Sequence, residues 1–139
     1  MKHDIETRED IIRFVNEFYN RVQGDNVIGY IFTEIAKVDW DKHLPKMYDF
    51  WETVLFGKAV FKGNPMEVHI RLNREHPLEQ AHFNRWKEIF KATIDDLFAG
   101  NLAEETKKKA ESIAGLMEFK INNVGKIGTP VKIKNNLQN

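Results

Sequence analysis

Apolar residues recur at three- and four-residue steps along most of the chain, which is the spacing of one buried helix face. Thr7 and Asp10 have the spacing of a capping box, with Asp in the usual Glu position, and Gly24 predicts the end of the first helix. The segment GYIF, which carries Phe32, is predicted to connect to the next helix. The apolar face of the first helix comprises Ile11, Ile12, Phe14, Val15, Phe18, Tyr19 and Val22.

A second helix is predicted from Asp39, a candidate N-cap, to about residue 55. Its apolar face carries His43 one turn before Met47. Pro45 lies in the first turns, where a missing backbone amide costs less than it would in mid-helix. The other apolar positions of this face are Trp40, Leu44, Phe50, Trp51 and Val54.

Residues 56–64 are predicted to form a loop. Asn64, Pro65 and Glu67 then fit an N-cap, a first-turn proline and an acidic third residue, so a helix should begin there. This helix should be short, because Pro77 disfavours helical geometry in the residue before it. Its apolar side comprises Met66, His69 and Ile70.

Two longer helices are predicted over roughly residues 78–98 and 102–124, with Asn101 and Glu104 as the cap of the second. Both have an apolar face at helical spacing, so each should pack along its whole length. These faces comprise His82, Trp86, Ile89, Phe90, Thr93, Ile94 and Leu97 in the first helix, and Ala110, Ile113, Ala114, Met117 and Ile121 in the second.

The composition fits one globular domain. The 139 residues are 42% hydrophobic and 12% aromatic, which is enough to bury a sizeable core. No stretch shows convincing strand alternation, so the predicted fold class is all-α. One domain is expected over residues 1–124, followed by a loosely ordered tail over residues 125–139.

Charge and cysteine content narrow the classes of function. The 21 basic residues balance 21 acidic ones, so nothing predicts a nucleic acid or an anionic membrane as partner. The absence of cysteine excludes disulfides, zinc–thiolate sites, Fe–S clusters and cysteine nucleophiles. The polar start predicts no signal peptide, and no apolar run approaches the ~20 residues of a membrane span. A cytoplasmic location is therefore expected.

Three predicted helices each carry a histidine on their apolar face: His43, His69 and His82. One such histidine alone is more often a hydrogen-bonded core residue than a ligand. A di-iron site would need two Glu-x-x-His pairs, and the chain offers only Glu79 with His82. His-Glu-x-x-His is absent, which argues against a zinc protease. A non-haem metal site that uses Glu79 and His82 is the weaker alternative.

Haem needs one imidazole for the iron, an apolar slot for the macrocycle and a hydrogen-bond donor for a polar diatomic ligand. His69 is the candidate imidazole, and Tyr19, His43 and Trp86 are candidate inward-facing donors. These features allow haem without singling it out. The apolar area would come from Phe18, Phe32, Phe50, Trp51, Phe61 and Phe83.

Four stretches of the chain resemble the group III truncated haemoglobins in order and spacing, over roughly residues 5–120. The chain also lacks a Gly-Gly dipeptide, which suits group III better than the other truncated groups. The resemblance implies a shortened globin fold in which two helices lie over two others, with haem b between the pairs. The stretches are EFYNRVQGDNVIGYIF, VDWDKHLPKMYDFWETVLFG, FKGNPMEVHIRL and HFNRWKEIF.

The resemblance also implies roles for four residues around the iron. His69 matches the proximal histidine that binds iron, and Tyr19 matches the distal tyrosine whose phenol can donate to a bound ligand. Trp86 matches the tryptophan of the distal pocket. His43 matches the distal histidine, and the resemblance leaves open whether it gates access, hydrogen-bonds the ligand or binds the iron itself.

Further residues are expected to line the haem slot. Phe32 matches an aromatic residue that packs on the haem face, Met47 an apolar distal residue, and Lys46 a cation for a haem propionate. His76 and His82 match no role in the family, and His82 is interpreted as a packed or propionate-side residue. The remaining predicted walls are Phe50, Trp51, Phe61, Met66, Ile70, Leu72, Phe83, Met117 and Ile121.

The function implied is a haem protein that binds O2, NO, CO or a small anion. Each polar donor should stabilise a charged adduct by roughly 1.5–3 kcal/mol, which predicts slow oxygen release. That suits redox chemistry, such as that of a nitric oxide dioxygenase or a peroxidase, better than oxygen transport, and it would require an external reductase. The alternatives are a haem-based gas sensor without turnover and a non-catalytic helical module.

Overall fold

The computed structural model of the chain describes residues 1–63 and 65–127, apart from the side chains of residues 65–67 and 124–127. The described residues contain helices and no β-strand, so the predicted all-α fold is confirmed. None of these helices combines the length and apolar character required to span a membrane. The helices are α1 (Arg8–Gln23), a π-helical segment (Ile31–Ile35), α2 (Trp40–Phe56), α3 (Pro65–Glu75), α4 (Gln80–Leu97) and α5 (Asn101–Ile127).

Helix α1 begins at the predicted capping box. The backbone N–H of Asp10 donates to Oγ1 of Thr7 at 3.3 Å, and the backbone N–H of Thr7 donates to Oδ2 of Asp10 at 3.2 Å. Both bonds satisfy backbone donors that a helix start would otherwise leave unpaired. The predicted apolar face is buried except for Ile12, which is half-buried at its edge.

The connector after α1, residues 28–38, contains a π-helical turn that periodicity does not predict. The backbone N–H of Ala36 donates to the carbonyl of Ile31 at 2.8 Å, which is a five-residue step. The connector packs so closely on the end of α1 that a Cβ at Gly29 would lie 2.9 Å from the carbonyl oxygens of Val22 and Gln23. A glycine is therefore required there by close backbone approach.

Two predicted caps are wrong in detail. Asp39 precedes α2 as predicted, but its side chain makes no capping hydrogen bond. Asn101 is the first residue of α5 rather than its cap. The cap is the carboxylate of Asp4, which accepts from the backbone N–H groups of Leu102 at 2.9 Å and Ala103 at 2.7 Å. A residue distant in sequence therefore satisfies the free amides of this helix start.

Two other predicted boundaries differ from the structure. Helix α4 begins at Gln80 rather than at residue 78, because Glu79 has the extended backbone of an N-cap, and the backbone N–H of Leu78 donates to the side chain of Asn73. Helix α5 continues past residue 124 to Ile127. Asn64, the side chain of Glu67 and residues 128–139 lie outside the described residues, so the cap predicted for α3 and most of the predicted tail lie there too.

Helices α1 and α2 form one packed pair, and α4 and α5 form the other. The two pairs meet where α1 packs against α4, and α3 packs mainly against α5. The main core surrounds α1 and includes Phe14, Phe18 and Phe90, each at most 2% exposed. A smaller second cluster between α4 and α5 contains Phe83, Ala114, Met117 and Ile121. The predicted arrangement of two helices over two is confirmed.

Candidate functional site

A cavity of about 340 Å³ lies between the helix pairs. Its size falls within the range of roughly 300–1,000 Å³ that is usual for small-molecule and cofactor sites. All five α-helices, the connector and the loop before α3 contribute to its walls, which are mainly aliphatic and aromatic. The cavity therefore has the apolar character that a flat, hydrophobic cofactor requires.

The cavity brings most of the predicted site residues together. Ile70 and Ile121 belong instead to the packing of the second cluster, and the side chain of Met66 lies outside the described residues. The predicted residues that line the cavity are Tyr19, Phe32, His43, Lys46, Met47, Phe50, Trp51, Phe61, His69, Leu72, Phe83, Trp86 and Met117.

Tyr19 lies on the buried face of α1, with 8% of its surface exposed. Its ring packs edge-on against Phe18, with 4.8 Å between ring centroids, and lies 5.4 Å from the ring of Trp40. Burial raises the pKa of Tyr19 above its usual range, because the phenolate would lose its hydration. The side chain, which forms part of the cavity wall, therefore remains a neutral hydroxyl that can donate a hydrogen bond.

His43 lies beside Tyr19, with 5.0 Å between the two ring centroids in an edge-to-face arrangement. Burial, followed by the charges of His69 and Lys46, lowers the pKa of His43 to about 4. The imidazole is therefore neutral at pH 7, with one N–H and one free lone pair. Its Nε2 atom is buried and has no hydrogen-bond partner among the described residues. A buried polar atom in that state costs roughly 1–3 kcal/mol unless a ligand satisfies it.

Trp86 is held on α4 by two aromatic contacts. Its ring stacks on Phe90, with 5.5 Å between centroids and 14° between planes, and meets Phe18 edge-on at 5.4 Å. Offset-stacked and edge-to-face pairs are the preferred aromatic geometries, so the orientation of the indole is well determined. Tyr19, His43 and Trp86 therefore come from three helices but share one rigid aromatic neighbourhood.

His69 lies on α3 and lines the cavity together with Val68 and Leu72. It is near enough to His43 for its charge to lower the pKa of that imidazole. Two imidazoles from different helices thus serve one apolar cavity. A second cation, Lys62 of the loop before α3, lines the cavity as Lys46 does.

His82 lines the cavity and lies in the first turn of α4. Its Nδ1 accepts a hydrogen bond of 2.9 Å from the backbone N–H of Glu79, and Glu79 caps the same turn in return. The Glu-x-x-His spacing here therefore forms a helix cap. In the described part of the chain, no third histidine or acidic residue joins Glu79 and His82 in a group suited to a metal ion. This geometry gives no support to the non-haem alternative.

Several lining residues were missed by the sequence analysis as parts of the site. Those in the connector and the loop have no helical periodicity that could have indicated them. Ile113 and Ala114 on α5 belong to an apolar stripe that extends beyond the cavity, so its spacing alone could not separate cavity from core. They are Ile28, Ile31, Ala36, Val38, Lys62, Gly63, Val68, Leu78, Ile113 and Ala114.

Comparisons with known proteins agree with this geometry. The model of the family described as bacterial-like globin matches residues 3–122. The group 3 truncated hemoglobin ctb of Campylobacter jejuni is 26% identical over 117 residues, which cover 82% of this chain and 90% of that protein. The crystal structure of the group III truncated hemoglobin from Campylobacter jejuni is similar with a TM-score of 0.76 and 25% identity. That match covers 87% of this chain and 95% of the other.

The family match covers nearly the whole described chain, including every residue of the cavity. Globins carry haem and bind diatomic gases, so membership implies haem-based ligand binding. The chain therefore belongs to the bacterial-like globin family, and its predicted resemblance to the group III truncated haemoglobins is confirmed.

Proposed function

We propose that this globin holds haem b in the cavity through His69 and serves redox chemistry on nitric oxide or peroxide rather than oxygen transport. The observation that supports this most is the adjacent pair of Tyr19 and His43, whose rings lie 5.0 Å apart on the cavity wall. Both side chains are neutral, and the Nε2 atom of His43 has no partner among the described residues.

The residues present fit haem. An imidazole from His69 suits the iron, the aromatic walls suit the macrocycle, and Lys46 and Lys62 suit its two carboxylates. When bound, the cofactor would supply an iron atom able to bind a small diatomic ligand. We assign His69 to the iron and the two lysines to the carboxylates.

The distal donors determine how firmly a polar ligand is held. The hydroxyl of Tyr19 and the indole N–H of Trp86 can each donate, and neutral His43 can donate or accept. A hydrogen bond to a group that carries charge is worth roughly 1.5–3 kcal/mol, so each effective donor slows ligand release by about ten- to a hundredfold. Slow release suits a protein that transforms its ligand and hinders one that delivers it.

Turnover would consume electrons. Nitric oxide, oxygen and one electron together give nitrate, and residues 3–122 are accounted for by the globin domain itself. We therefore include an external reductase as a partner. His43 is assigned to the ligand side, where it can hydrogen-bond the ligand or bind the iron when no ligand is present.

The test is a titration of the haem-free chain with haemin, followed by desalting and an absorption spectrum. We expect one haem per chain and a Soret band that is weakened or shifted in His69→Ala and unchanged in His3→Ala, whose histidine is exposed outside the cavity. With a chemical reductant, oxygen and nitric oxide, the loaded protein should form nitrate, and Tyr19→Phe should release oxygen about ten- to a hundredfold faster. Absence of a Soret band, or an identical band in His69→Ala, would refute haem ligation, and absence of nitrate and of peroxide turnover would refute the redox role.

A further inference from the structure

Helix α3 carries His69 and has few neighbours. It spans Pro65–Glu75 and packs mainly against α5, and its residue Val68 is 51% exposed. A helix of this length is marginal by itself, since isolated helices shorter than ~12–15 residues are barely stable in water. The position of α3 must therefore be set by the contacts at its ends as well as by α5, the helix against which it mainly packs.

Hydrogen bonds fix the C-terminal end of α3. The backbone N–H of His76 donates to the carbonyl of Leu72 at 2.9 Å, and that of Leu78 donates to Oδ1 of Asn73 at 2.8 Å. Both bonds are local. A third bond joins Nε2 of His76 to the hydroxyl of Tyr30 at 3.0 Å, with 5.3 Å between the rings. Of these three, it alone reaches another part of the fold.

The bond between Tyr30 and His76 connects two walls of the cavity. Tyr30 directly precedes the π-helical segment, whose Ile31 and Phe32 line the cavity. His76 directly follows α3, and His69 of that helix lines the cavity as well. Residues 30 and 76 are far apart in sequence, so the bond ties the C-terminal end of α3 to the connector after α1.

The remaining nitrogen of His76 indicates the direction of this bond. Nδ1 is buried with no partner in the described part of the chain. If Tyr30 donated, Nδ1 would carry a buried proton without an acceptor. If Nε2–H of His76 donates to the Tyr30 oxygen, Nδ1 is only an unused lone pair, which proteins tolerate more often. The tautomer that leaves no buried N–H unpaired thus makes His76 the donor. The ring centroid of His82 lies 5.9 Å from that of His76.

We propose that the Tyr30–His76 hydrogen bond is a latch that positions α3, and through it His69, for haem binding. Tyr30 and His76 are thus positioning residues that lie outside the cavity lining itself. The part that concerns His69 rests on the proposed haem function, whereas the latch on α3 does not. The two parts can be tested separately.

The latch is tested first in the haem-free full chain by hydrogen exchange. Tyr30→Phe keeps the ring and removes the hydroxyl, so amides of residues 68–75 should exchange roughly two- to tenfold faster. Tyr48→Phe is the matched control, because it removes a hydroxyl that bonds Asn16 on α1 and should leave α3 unchanged. His76→Gln, which retains an N–H donor, should protect α3 better than His76→Leu. Unchanged exchange of α3 in Tyr30→Phe, or equal acceleration in Tyr48→Phe, would overturn the latch.

The positioning of His69 is tested in the reduced, haem-loaded protein by the resonance Raman band of the iron–histidine bond. We expect the band to shift or broaden in Tyr30→Phe and to match the unsubstituted protein in Tyr48→Phe. Faster exchange of α3 with an unchanged band would overturn the positioning role. If no variant bound haem at all, the proposed function would fail, while the exchange result would still decide whether the latch exists.

Discussion

The two sides of the cavity are built differently. On the side that we propose as distal, Tyr19, His43 and Trp86 are held by aromatic contacts that continue into the main core around α1. On the side that we propose as proximal, His69 lies on a short helix that packs mainly against α5, close to the smaller second cluster. The side chains that we propose as ligand donors are thus held by a large aromatic core, whereas the helix that carries His69, the proposed iron ligand, packs mainly against one other helix.

This difference indicates that most of the stabilising free energy of folding comes from the main core around α1. Phe90 is 1% exposed, stacks with Trp51 at 5.1 Å and with Trp86 at 5.5 Å, and meets Phe14 and Phe18 edge-on. Such a ring makes many dispersion contacts that have no replacement once it is lost. The distal donors should therefore be preorganised before any cofactor binds, and the proximal side should gain most when haem fills the cavity.

The largest expected effect compares one phenylalanine from each side. In the haem-free chain, Phe90→Ala should lower the free energy of unfolding by roughly 3–5 kcal/mol, because the surrounding rings cannot collapse into the space. Phe83→Ala, at the cavity wall in the second cluster, should cost roughly 1–2 kcal/mol less, since its site already borders a cavity. Urea denaturation of both variants measures this.

Equal losses in the two variants would show that the second cluster is as well packed as the main core. The same urea denaturation can be repeated with haem bound. Phe83→Ala should then lower the free energy of unfolding more than it does without haem, because the phenylalanine ring would contact the cofactor as well as the cluster.

The next effect concerns His43 and pH. Its pKa in the folded, haem-free chain is lowered to about 4, mainly by burial and then by the charges of His69 and Lys46. The unfolded chain, with a value near 6.5, binds more protons as the pH falls. The stabilisation is therefore complete above about pH 6.5 and is lost as the pH falls towards 4. After allowance for solvent screening we expect a loss of about 2 kcal/mol.

Unfolding curves at pH 7 and pH 4.5 measure this dependence. His43→Gln cannot titrate and should show a flatter decline than the unsubstituted chain. His3→Gln, at an exposed position, should keep the original slope. If His43→Gln kept the original slope as well, His43 would be hydrated in solution, and the distal side would be more open than its aromatic contacts indicate.

The sequence predicts the distal side better than the rest. The α1 face and the capping box of Thr7 and Asp10 are local patterns, and the structure confirms both. The π-helical turn after α1 has no such pattern, and neither has the close approach of Gly29 to the end of α1. The cap of α5 by Asp4 is equally hidden, since it joins distant parts of the sequence.

The cavity lining shows a second limit. The resemblance to a family predicted a shared haem slot for His69, Tyr19 and His43, which periodicity alone could not do. All three line the cavity. Ile70 and Ile121 lie on the predicted apolar faces but pack in the second cluster. One residue turns a helix by about 100°, so neighbours on one stripe can face different environments. Which part of a stripe meets the cavity depends on how the helices cross.

The smallest expected effect is at Asp4, which caps α5 and so supports the helix that both α3 and α4 pack against. Burial alone would raise the pKa of Asp4, but hydrogen bonds from the backbone of Leu102, Ile5 and Ala103, together with His3, lower it overall. A lowered folded pKa stabilises the fold above about pH 4, and this contribution is lost as the pH falls below it.

Asp4→Ala should therefore cost about 1 kcal/mol at pH 7, as the loss of a helix cap usually does, and less at pH 3. Asp41→Ala is the control, because Asp41 is exposed in the first turn of α2, in a different helix from the one that Asp4 caps. Hydrogen exchange should show the loss at the start of α5, and weaker protection should spread from there to α3 before it reaches α1. If α1 lost protection first, the proximal side would not be the less stable half, and the contrast between the two walls would fail.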